Sequence, residues 1–487
     1  MISFNPLIYN EMSIENEIKN KAGEANKTSH VMTRRNFLTV GATTLVAPMV
    51  VSRCILGGPE YKAPSDKLRI AAVGLGMGSA YLNGCKSEEV VALCDLDHNR
   101  RAKVFEKYPD ARRYHDYRIM FEKEANNIDA VIVATPDHTH TIILMAAIEM
   151  GKHIYCAKPV THNIGEARRV KKALLKNKQL VTQSSVQSAK SDESCSTSEL
   201  LRSGVIGPVR ELHIWCDHPA YPCSLLRPED KQTPPSGMDW DLWIGPAPYR
   251  PFNSAYHPLF WRPWWDFGSG TVGDMACHTF HVYFNELQLG MPESVYGEGS
   301  VRQDGWFKPV PTPECQSQAN MITWEYPSRG DLPPMTLYWY DGGMKPHRPK
   351  ELDQGLKLAS SGLMFVGEEG KLITGYSGGN PYVKVGRKLK GGLLLPEDKF
   401  RDFRNPEETL KRTKDHYMNW VNACKSGSDT DCPIELGCEM TEVALLGSLA
   451  LRTQRYIQWD SDAMRITNAN EDINNMIDPE YRKGWRI

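Results

Sequence analysis

Short apolar runs alternate with amphipathic stretches between residues 67 and 183 of the chain. The apolar runs predict strands at 68–73, 90–94, 111–115, 129–134, 152–156 and 179–182. The stretches between them predict helices at 78–86, 98–107, 117–124, 138–150 and 163–177. Strands that alternate with helices in this way favour an α/β fold with a doubly wound parallel sheet of the Rossmann type.

After residue 190 the side chains alternate with a period of two. Segments 209–215 and 335–339 predict strands, and 363–374 predicts a hairpin that turns at 368–371. We therefore expect a second α/β domain with an open, mostly antiparallel sheet.

Two further segments of this second half have patterns of their own. Apolar residues at helical spacing between Met440 and Ala450 predict an amphipathic helix. The segment 217–265 is rich in Pro, Trp and Tyr, and we expect an ordered excursion there rather than a linker.

A glycine-rich turn, GLGMGS at residues 74–79, follows the first predicted strand, and the second predicted strand leads into an acid 21 residues past Gly74. Such glycines let backbone N–H groups at a helix start approach a pyrophosphate, and the acid lies at a ribose hydroxyl. The alternative is a glycine turn in an α/β domain that binds no nucleotide. The predicted cofactor-binding residues of this unit are Gly74, Gly76, Met77, Gly78 and Asp95.

Asp95 also bears on which nucleotide binds. A carboxylate repels a 2′-phosphate, so the sequence favours NAD over NADP, although Arg100 and Arg101 lie nearby. A second set of residues follows the predicted strand at 129–134, where it should face the same cleft or simply begin a helix. Its predicted cofactor-binding members are Thr135, Pro136, His138 and His140.

Lys158 comes directly after a predicted strand that ends at Cys156. Ligands of a doubly wound sheet bind beyond the carboxyl ends of its strands, so Lys158 should face the cleft and stabilise negative charge on a substrate hydroxyl. We predict that it is catalytic and also contacts the cofactor. The alternative is a solvated surface lysine.

Asp274 and His278 are four residues apart and would share one face of a helix. A carboxylate beside an imidazole can orient it and raise its basicity, and such a pair can take a proton from an alcohol. We predict that both are catalytic. The pair could instead be structural, or His278 and His281 could join a carboxylate at a metal, although no further ligand is evident and no metal is predicted.

The aromatic run at 256–266 precedes this pair and could stack on sugar rings or form a core cluster. The chain has 12 cysteines whose spacings match neither a zinc ribbon nor a small disulfide scaffold. Cys94 and Cys156 should be buried thiols. Pairing is open among Cys216, Cys223, Cys315, Cys424, Cys432 and Cys438.

Charge and the N-terminal residues bear on partners and location. The formal net charge is −1, so nothing favours nucleic acid or a membrane surface. Residues 33–38, TRRNFL, form a twin-arginine pattern, and the apolar segment 40–51 after it is too short to span a bilayer. We expect export as a folded periplasmic protein without a stable membrane anchor, with a cofactor loaded in the cytoplasm and held tightly. A chance Arg-Arg pair is the alternative.

The chain resembles the Gfo/Idh/MocA oxidoreductases, in an exported branch with a twin-arginine leader. The matching pieces are GLGMGS, the strand ending at Asp95, ATPDHTH, AKPVTH and GDMACH, in order over most of residues 67–460. The resemblance implies oxidation or reduction of a sugar or cyclitol carbon by NAD(P), and a second domain whose open sheet forms a homo-oligomer interface. It implies that Lys158 is the catalytic lysine and that His278 accepts the proton.

Two positions depart from the family pattern. Ala157 stands where a glutamate usually helps to hold the cofactor ribose, and the segment 183–190 lacks the glycines often seen there. The predicted division of the chain is an extension with the export signal at 1–58, a linker at 59–66, an NAD(P)-binding domain at 67–190, a substrate and dimerisation domain at 191–460 and a tail at 461–487.

Three functions are compatible with these residues. The first is an NAD(P)-dependent oxidoreductase that acts on a ring hydroxyl of a sugar, glycoside or cyclitol. The second is a glycoside hydrolase that oxidises the ring transiently, eliminates the aglycone and reduces the ring again. The third is a non-catalytic, sugar-binding homologue, which the Ala157 departure favours and the presence of Lys158, Asp274 and His278 opposes.

Overall fold

The computed structural model describes residues 66–219, 221–386 and 389–486. The predicted export signal lies outside these residues. So does nearly all of the predicted linker.

Six parallel strands form the first sheet. They are β1 Arg69–Val73, β2 Glu89–Cys94, β3 Arg112–Tyr114, β4 Ala130–Val133, β5 His153–Cys156 and β6 Thr182–Ser184. The connecting helices are α1 Met77–Gly84, α2 Ala102–Lys107, α3 Tyr117–Glu124, α4 His140–Glu149 and α5 Ile164–Lys176. The strand order β3-β2-β1-β4-β5-β6 reverses its direction of growth between β1 and β4, which opens a crevice beyond the strand ends there. The predicted doubly wound sheet is confirmed.

The first sheet reads as apolar runs because helices cover both of its faces. Every residue of β4 is buried. Helix α5 begins at a capping box, in which the Asn163 side chain accepts the Glu166 N–H and the Glu166 carboxylate accepts the Asn163 N–H.

Two helices begin two or more residues later than predicted. Helix α2 begins at Ala102 rather than residue 98, because Asp97 accepts the N–H of Arg100 and holds a turn before it. Helix α4 begins at His140 rather than residue 138, after a 3₁₀ turn at Asp137–Thr139.

Nine strands form the second sheet. They are β7 Val209–Trp215, β8 Ser294–Gly299, β11 Asn320–Tyr326, β12 Met335–Tyr340, β13 Gly362–Gly367, β14 Lys371–Thr374, β15 Leu393–Leu395, β16 Ile457–Asp460 and β17 Arg465–Ile466. Their order is β15-β14-β13-β7-β12-β11-β8-β16-β17. Only β7 and β12 pair in parallel, so the predicted, mostly antiparallel sheet is confirmed. A separate ribbon pairs β9 Arg302–Gln303 with β10 Pro309–Val310.

The remaining helices are α6 Asp192–Arg202, α7 Trp240–Ile244, α8 Gly270–Met275, α9 Cys277–Tyr283, α10 His416–Ser426, α11 Ile434–Thr453 and α12 Glu471–Asn474. A 3₁₀ turn lies at Val383–Val385. The Pro- and Trp-rich excursion is ordered as predicted, since its aromatic residues form a buried cluster around Trp240, Tyr256, Trp264 and Phe267.

Helix α11 lies between the two domains and is buried nearly all round. Ile434 and Cys438 belong to the core of the parallel sheet, whereas Val443 and Leu446 belong to the core of the second sheet. The predicted amphipathic helix at 440–450 is therefore longer, and it has apolar residues on both sides because both sides are covered.

Helix α10, which comes late in the chain, packs into a core of the first domain. Trp420 and Val421 pack with Leu68 and Ile70 in the core beneath the parallel sheet. A division into consecutive domains at residue 190 stays a prediction, and the structure adds a late helix to the first core.

The eleven described cysteines are free thiols, and all but Cys424 are buried. Cys94 and Cys156 lie in strands, as predicted. The six cysteines whose pairing was open form no disulfide among the described residues. No helix in the described ranges combines the length and apolarity needed to cross a membrane.

Substitution of Gly447 tests the packing of α11. A Cβ at this position would lie 2.5 Å from the ring of Trp324, which is fully buried and donates to the Val443 carbonyl. We expect Gly447→Ala to lower the free energy of unfolding by about 1–3 kcal/mol, even though alanine favours a helix. The measurement is denaturant unfolding.

Gly290→Ala is the control, because a Cβ there meets no atom within 4 Å. It should change the free energy of unfolding by less than about 0.5 kcal/mol. Equal stabilities for Gly447→Ala and wild type would contradict the close packing of α11 on the second sheet.

Candidate active site

A cavity of about 210 Å³ lies beyond the carboxyl ends of β1, β2, β4 and β5. The glycine turn, the ends of these strands and the start of α4 form one side of it. Residues of the Trp-rich excursion form the other side, among them Trp243, Trp261 and Arg262. The cavity lies where a doubly wound sheet binds ligands.

The glycine turn passes close to the loop after β4. Gly74 has a φ of +84°, and a Cβ there would lie 2.5 Å from the Ala134 carbonyl oxygen, so only glycine fits. Gly76 and Met77 line the cavity, and no side chain caps α1 at Gly76. Gly78 is buried behind the turn and does not line the cavity.

Asp95 lies at the end of β2 and lines the cavity. Its carboxylate accepts the N–H groups of Leu75 at 2.7 Å and of Asp97 at 2.9 Å. The guanidinium of Arg101 lies 3.6 Å from the same carboxylate. Asp95 thus joins the glycine turn to the end of β2.

The residues after β4 divide between two cavities. Thr135, Pro136 and His140 line the first cavity. The two ring nitrogens of His140 each lie near a backbone carbonyl oxygen, Nε2 at 2.8 Å from that of Thr135 and Nδ1 at 2.9 Å from that of Pro159. His138 lines a second cavity instead, so the structure does not bring it to the first.

Both ring nitrogens of His138 also face carbonyls, those of Trp243 at 3.0 Å and Phe267 at 3.2 Å. Burial lowers the pKa of His138 to about 3 and also lowers the pKa of His140. A neutral imidazole has one N–H, so each ring donates to one of its two neighbouring carbonyls and thereby ties the loop after β4 to the surrounding backbone.

Lys158 and Asp274 meet across the two domains. The Lys158 ammonium donates to the Asp274 carboxylate at 2.6 Å and to its backbone carbonyl at 2.5 Å. Lys158 lines the cavity just beyond β5, and Asp274 lies in α8. The Arg262 guanidinium lies 3.3 Å from the other carboxylate oxygen.

The charges around Asp274 decide its protonation. Burial raises the pKa of Asp274, but the Lys158 and Arg262 cations and the Lys158 hydrogen bond outweigh it and hold that pKa well below its usual range. The carboxylate is therefore ionised at any pH at which the protein works.

His278 lies one turn further along, in α9. No described side chain or backbone group hydrogen-bonds its imidazole, and Asp274 is engaged by Lys158 and Arg262 instead. Burial first, and then the Lys158 charge, lower the pKa of His278 well below its usual range, although Asp274 acts in the opposite direction. Asp274 therefore raises the basicity of this histidine, in the direction predicted, but burial and the Lys158 charge outweigh its effect.

Two charged residues of the site, Arg262 and Asp137, have no role in the sequence predictions. Arg262 comes from the aromatic run, whose rings are mostly buried core. Asp137 lines the cavity, accepts the Ser269 hydroxyl at 2.7 Å, and has a pKa raised to about 6 by burial. Its place in the ATPDHTH motif, just beyond the carboxyl end of β4, is the signal that could have identified Asp137.

Potential metal ligands cluster elsewhere. In the described ranges, Cys216, Asp217 and His218 are the one group of three whose ligand atoms lie within 4.8 Å of one another. Asp217 and His218 bond to each other at 3.2 Å, and Ser361 donates to Asp217 at 2.8 Å. His278 and His281 belong to no such group.

The residues fit a dinucleotide. The uncapped start of α1 offers N–H groups to a pyrophosphate, and the tight turn at Gly74 brings them to the strand ends. Asp95 lies at the position of a ribose partner. Ala157 lines the cavity without offering a polar group.

Comparison with known proteins agrees with this arrangement. A family model, GFO_IDH_MocA, described as an oxidoreductase family with an NAD-binding Rossmann fold, matches residues 68–185. The model of the family's C-terminal alpha/beta domain matches residues 226–290. The matches lie in both domains of the structure.

Among curated relatives, an inositol 2-dehydrogenase of Salmonella typhimurium is 28% identical over 152 residues, which are 30% of this chain and 45% of the relative. An inositol 2-dehydrogenase of Saccharopolyspora erythraea is 32% identical over 21% of this chain and 32% of the relative. The chain thus spans less than half the length of these relatives.

Solved structures share the fold over a longer range. The WlbA dehydrogenase from Bordetella pertussis, in complex with NADH and UDP-GlcNAcA, has a TM-score of 0.53 and 16% identity, covering 81% of this chain and 99% of that one. An inositol dehydrogenase homologue from Azotobacter vinelandii, complexed with NADH and myo-inositol, has a TM-score of 0.51 and 18% identity, covering 81% and 98%. Residues 68–185 and 226–290 thus match the models of the two domains of the Gfo/Idh/MocA oxidoreductases, in the order NAD-binding domain and then C-terminal domain.

Proposed function

We propose that the protein is an NAD-dependent oxidoreductase that transfers hydride between a ring carbon of a sugar, glycoside or cyclitol and a tightly held cofactor. The observation that carries this proposal is the contact of Lys158 with Asp274 at the end of the cleft, with the unbonded imidazole of His278 one turn away. The relatives named inositol 2-dehydrogenase support the substrate class.

The residues that would hold the cofactor are the glycine turn, Asp95 and the loop after β4. Asp95 favours NAD, because its carboxylate would repel the 2′-phosphate of NADP. When bound, the nicotinamide ring supplies the hydride acceptor for the oxidation.

Each of three side chains has its own role in the reaction, namely Lys158, His278 and Asp274. As the substrate C–H bond gives up hydride, the hydroxyl loses its proton to neutral His278 and the carbon–oxygen bond becomes a carbonyl. The Lys158 ammonium stabilises the negative charge that develops on oxygen. Asp274 holds the ammonium in place, which is a different role from the predicted orientation of the histidine.

Substitution of the two groups tests the proposal. We expect Lys158→Ala and His278→Gln each to lower kcat/KM by about 10²- to 10⁴-fold, because each removes a group that acts on the transferred proton or the developing charge. The measurement is NADH formation at 340 nm with a panel of glycosides, sugars and inositols.

Lys171→Ala is a matched control, because it also removes one lysine from an ion pair, with Glu439, away from the cleft. It should leave the rate within about twofold. Release of sugar without net formation of NADH would contradict the dehydrogenase proposal and indicate a glycosidase that works through transient oxidation. A wild type that binds no NAD would favour a non-catalytic homologue.

The pH dependence of kcat/KM tests the role of His278. The base must be neutral, and burial and Lys158 lower its pKa below 6.5. The rate should therefore stay level as the pH falls to 6.5 and decline only below that value. Asp274→Asn removes the charge that raises this pKa, so the decline should move to still lower pH. A decline centred at or above pH 6.5 would remove His278 as the base.

We also propose export to the periplasm through the twin-arginine motif at residues 33–38, which lies outside the described residues. Arg34→Lys together with Arg35→Lys should abolish export, because the receptor reads the arginine pair, and the protein should remain in the cytoplasm. Cell fractionation and immunoblotting measure this. The same periplasmic fraction from the variant and the wild type would contradict the proposal.

A further inference from the structure

Residues 477–485 form a segment that packs against the first domain, although the two are far apart in sequence. The Ile477 carbonyl accepts the N–H of Gly165 in α5 at 2.9 Å. The N–H of Trp485 donates to the Arg482 carbonyl at 3.0 Å, which forms a turn. The Tyr481 hydroxyl also donates to the Glu166 carboxylate in α5 at 2.5 Å, and Trp485 near the end of the segment lines the cleft.

Arg482 fastens this segment to α7. Its guanidinium donates to the carbonyls of Gly245 and Asp241, each at 3.0 Å, and to the Asp241 carboxylate at 2.5 Å. Leu242, inside the same helix, lines the cleft. The segment and α7 thus border the cleft together.

Trp485 is the residue that reaches the cleft. Its half-buried indole lines the cavity, and the Arg118 guanidinium lies 4.8 Å from the ring centroid. That guanidinium donates three hydrogen bonds to the Asp116 carboxylate, two at 3.0 Å and one at 2.6 Å. The indole is therefore positioned by a cation that is itself fixed.

The position of Trp485 along the cleft is given by the strand order. Arg118 follows β3, on the β2 side of the glycine turn, where Asp95 would bind a ribose. Lys158 follows β5, on the opposite side of the turn. Trp485 thus lies at the end of the cleft away from the catalytic groups.

We propose that Trp485 contacts the adenine of the dinucleotide and that the 477–485 segment closes the adenosine end of the site. This inference rests on the proposed function for its ligand. An aromatic ring beside the cavity offers a flat surface for a purine, and release of the cofactor then requires the segment to detach. The arrangement accounts for a cofactor that is retained between turnovers.

Two fragments of the cofactor separate the ends of the site. ADP-ribose contains the adenosine but lacks the nicotinamide, and nicotinamide mononucleotide contains the nicotinamide but lacks the adenosine. We expect Trp485→Ala to raise the Kd of ADP-ribose about 10- to 100-fold, as a lost base–aromatic contact does, and to leave the Kd of nicotinamide mononucleotide within twofold. Calorimetric titration measures both.

Trp485→Phe should keep most of the ADP-ribose affinity, because a ring remains. Trp306→Ala is the control for loss of a tryptophan, since Trp306 is 90% exposed in the β9–β10 ribbon loop, and it should leave both affinities unchanged. Arg482→Ala should speed the release of NAD, because it unfastens the segment.

An unchanged ADP-ribose Kd in Trp485→Ala would overturn the inference. So would an equal loss of affinity for both fragments, which would indicate general damage. Wild-type protein that binds nicotinamide mononucleotide but not ADP-ribose would overturn it while leaving the proposed hydride transfer intact. Binding of neither fragment would overturn both.

Discussion

The geometry of the site depends on one constraint, which is that α11 is shared by two hydrophobic cores. Ile434 and Cys438 fill the core of the parallel sheet, and Val443 and Leu446 fill the core of the second sheet. A helix packed on both sides cannot shift toward one domain without opening a cavity in the other. The relative position of the domains is thereby set, and with it the contact of Lys158 from one with Asp274 from the other.

The parallel sheet could be predicted because its signal is local. Strands buried on both faces read as apolar runs, and the glycine turn and Asp95 follow at fixed spacings. The second sheet was predicted as a type but not as an order of strands, since its pairs join residues far apart in the chain, such as Leu212 of β7 with Leu337 of β12. Nor does a periodic pattern reveal that α11 is covered on both sides.

In the site, too, the features with a local sequence signal could be predicted and those that depend on distant residues could not. Sequence motifs identify Lys158, Asp274 and His278 as catalytic candidates. The motif at 135–140 predicts four cofactor contacts, whereas the rings of His138 and His140 each donate to a backbone carbonyl instead. The spacing of Asp274 and His278 predicts a hydrogen-bonded pair. In the structure the Asp274 carboxylate instead contacts two cations, those of Lys158 and Arg262. The spacing of two residues predicts whether they share a helix face. It does not predict which charged residues from distant parts of the chain form ion pairs with them.

The eleven cysteines in the described part of the chain are all unpaired, and this gives the fold a further property. While the chain is folded, almost all of them are shut away from oxidants, and burial raises the pKa of thiols such as Cys216 and Cys223 to about 12, so they carry almost no reactive thiolate. An unfolded chain in an oxidising compartment would expose every one of them to mispairing. Folding under reducing conditions would avoid that mispairing.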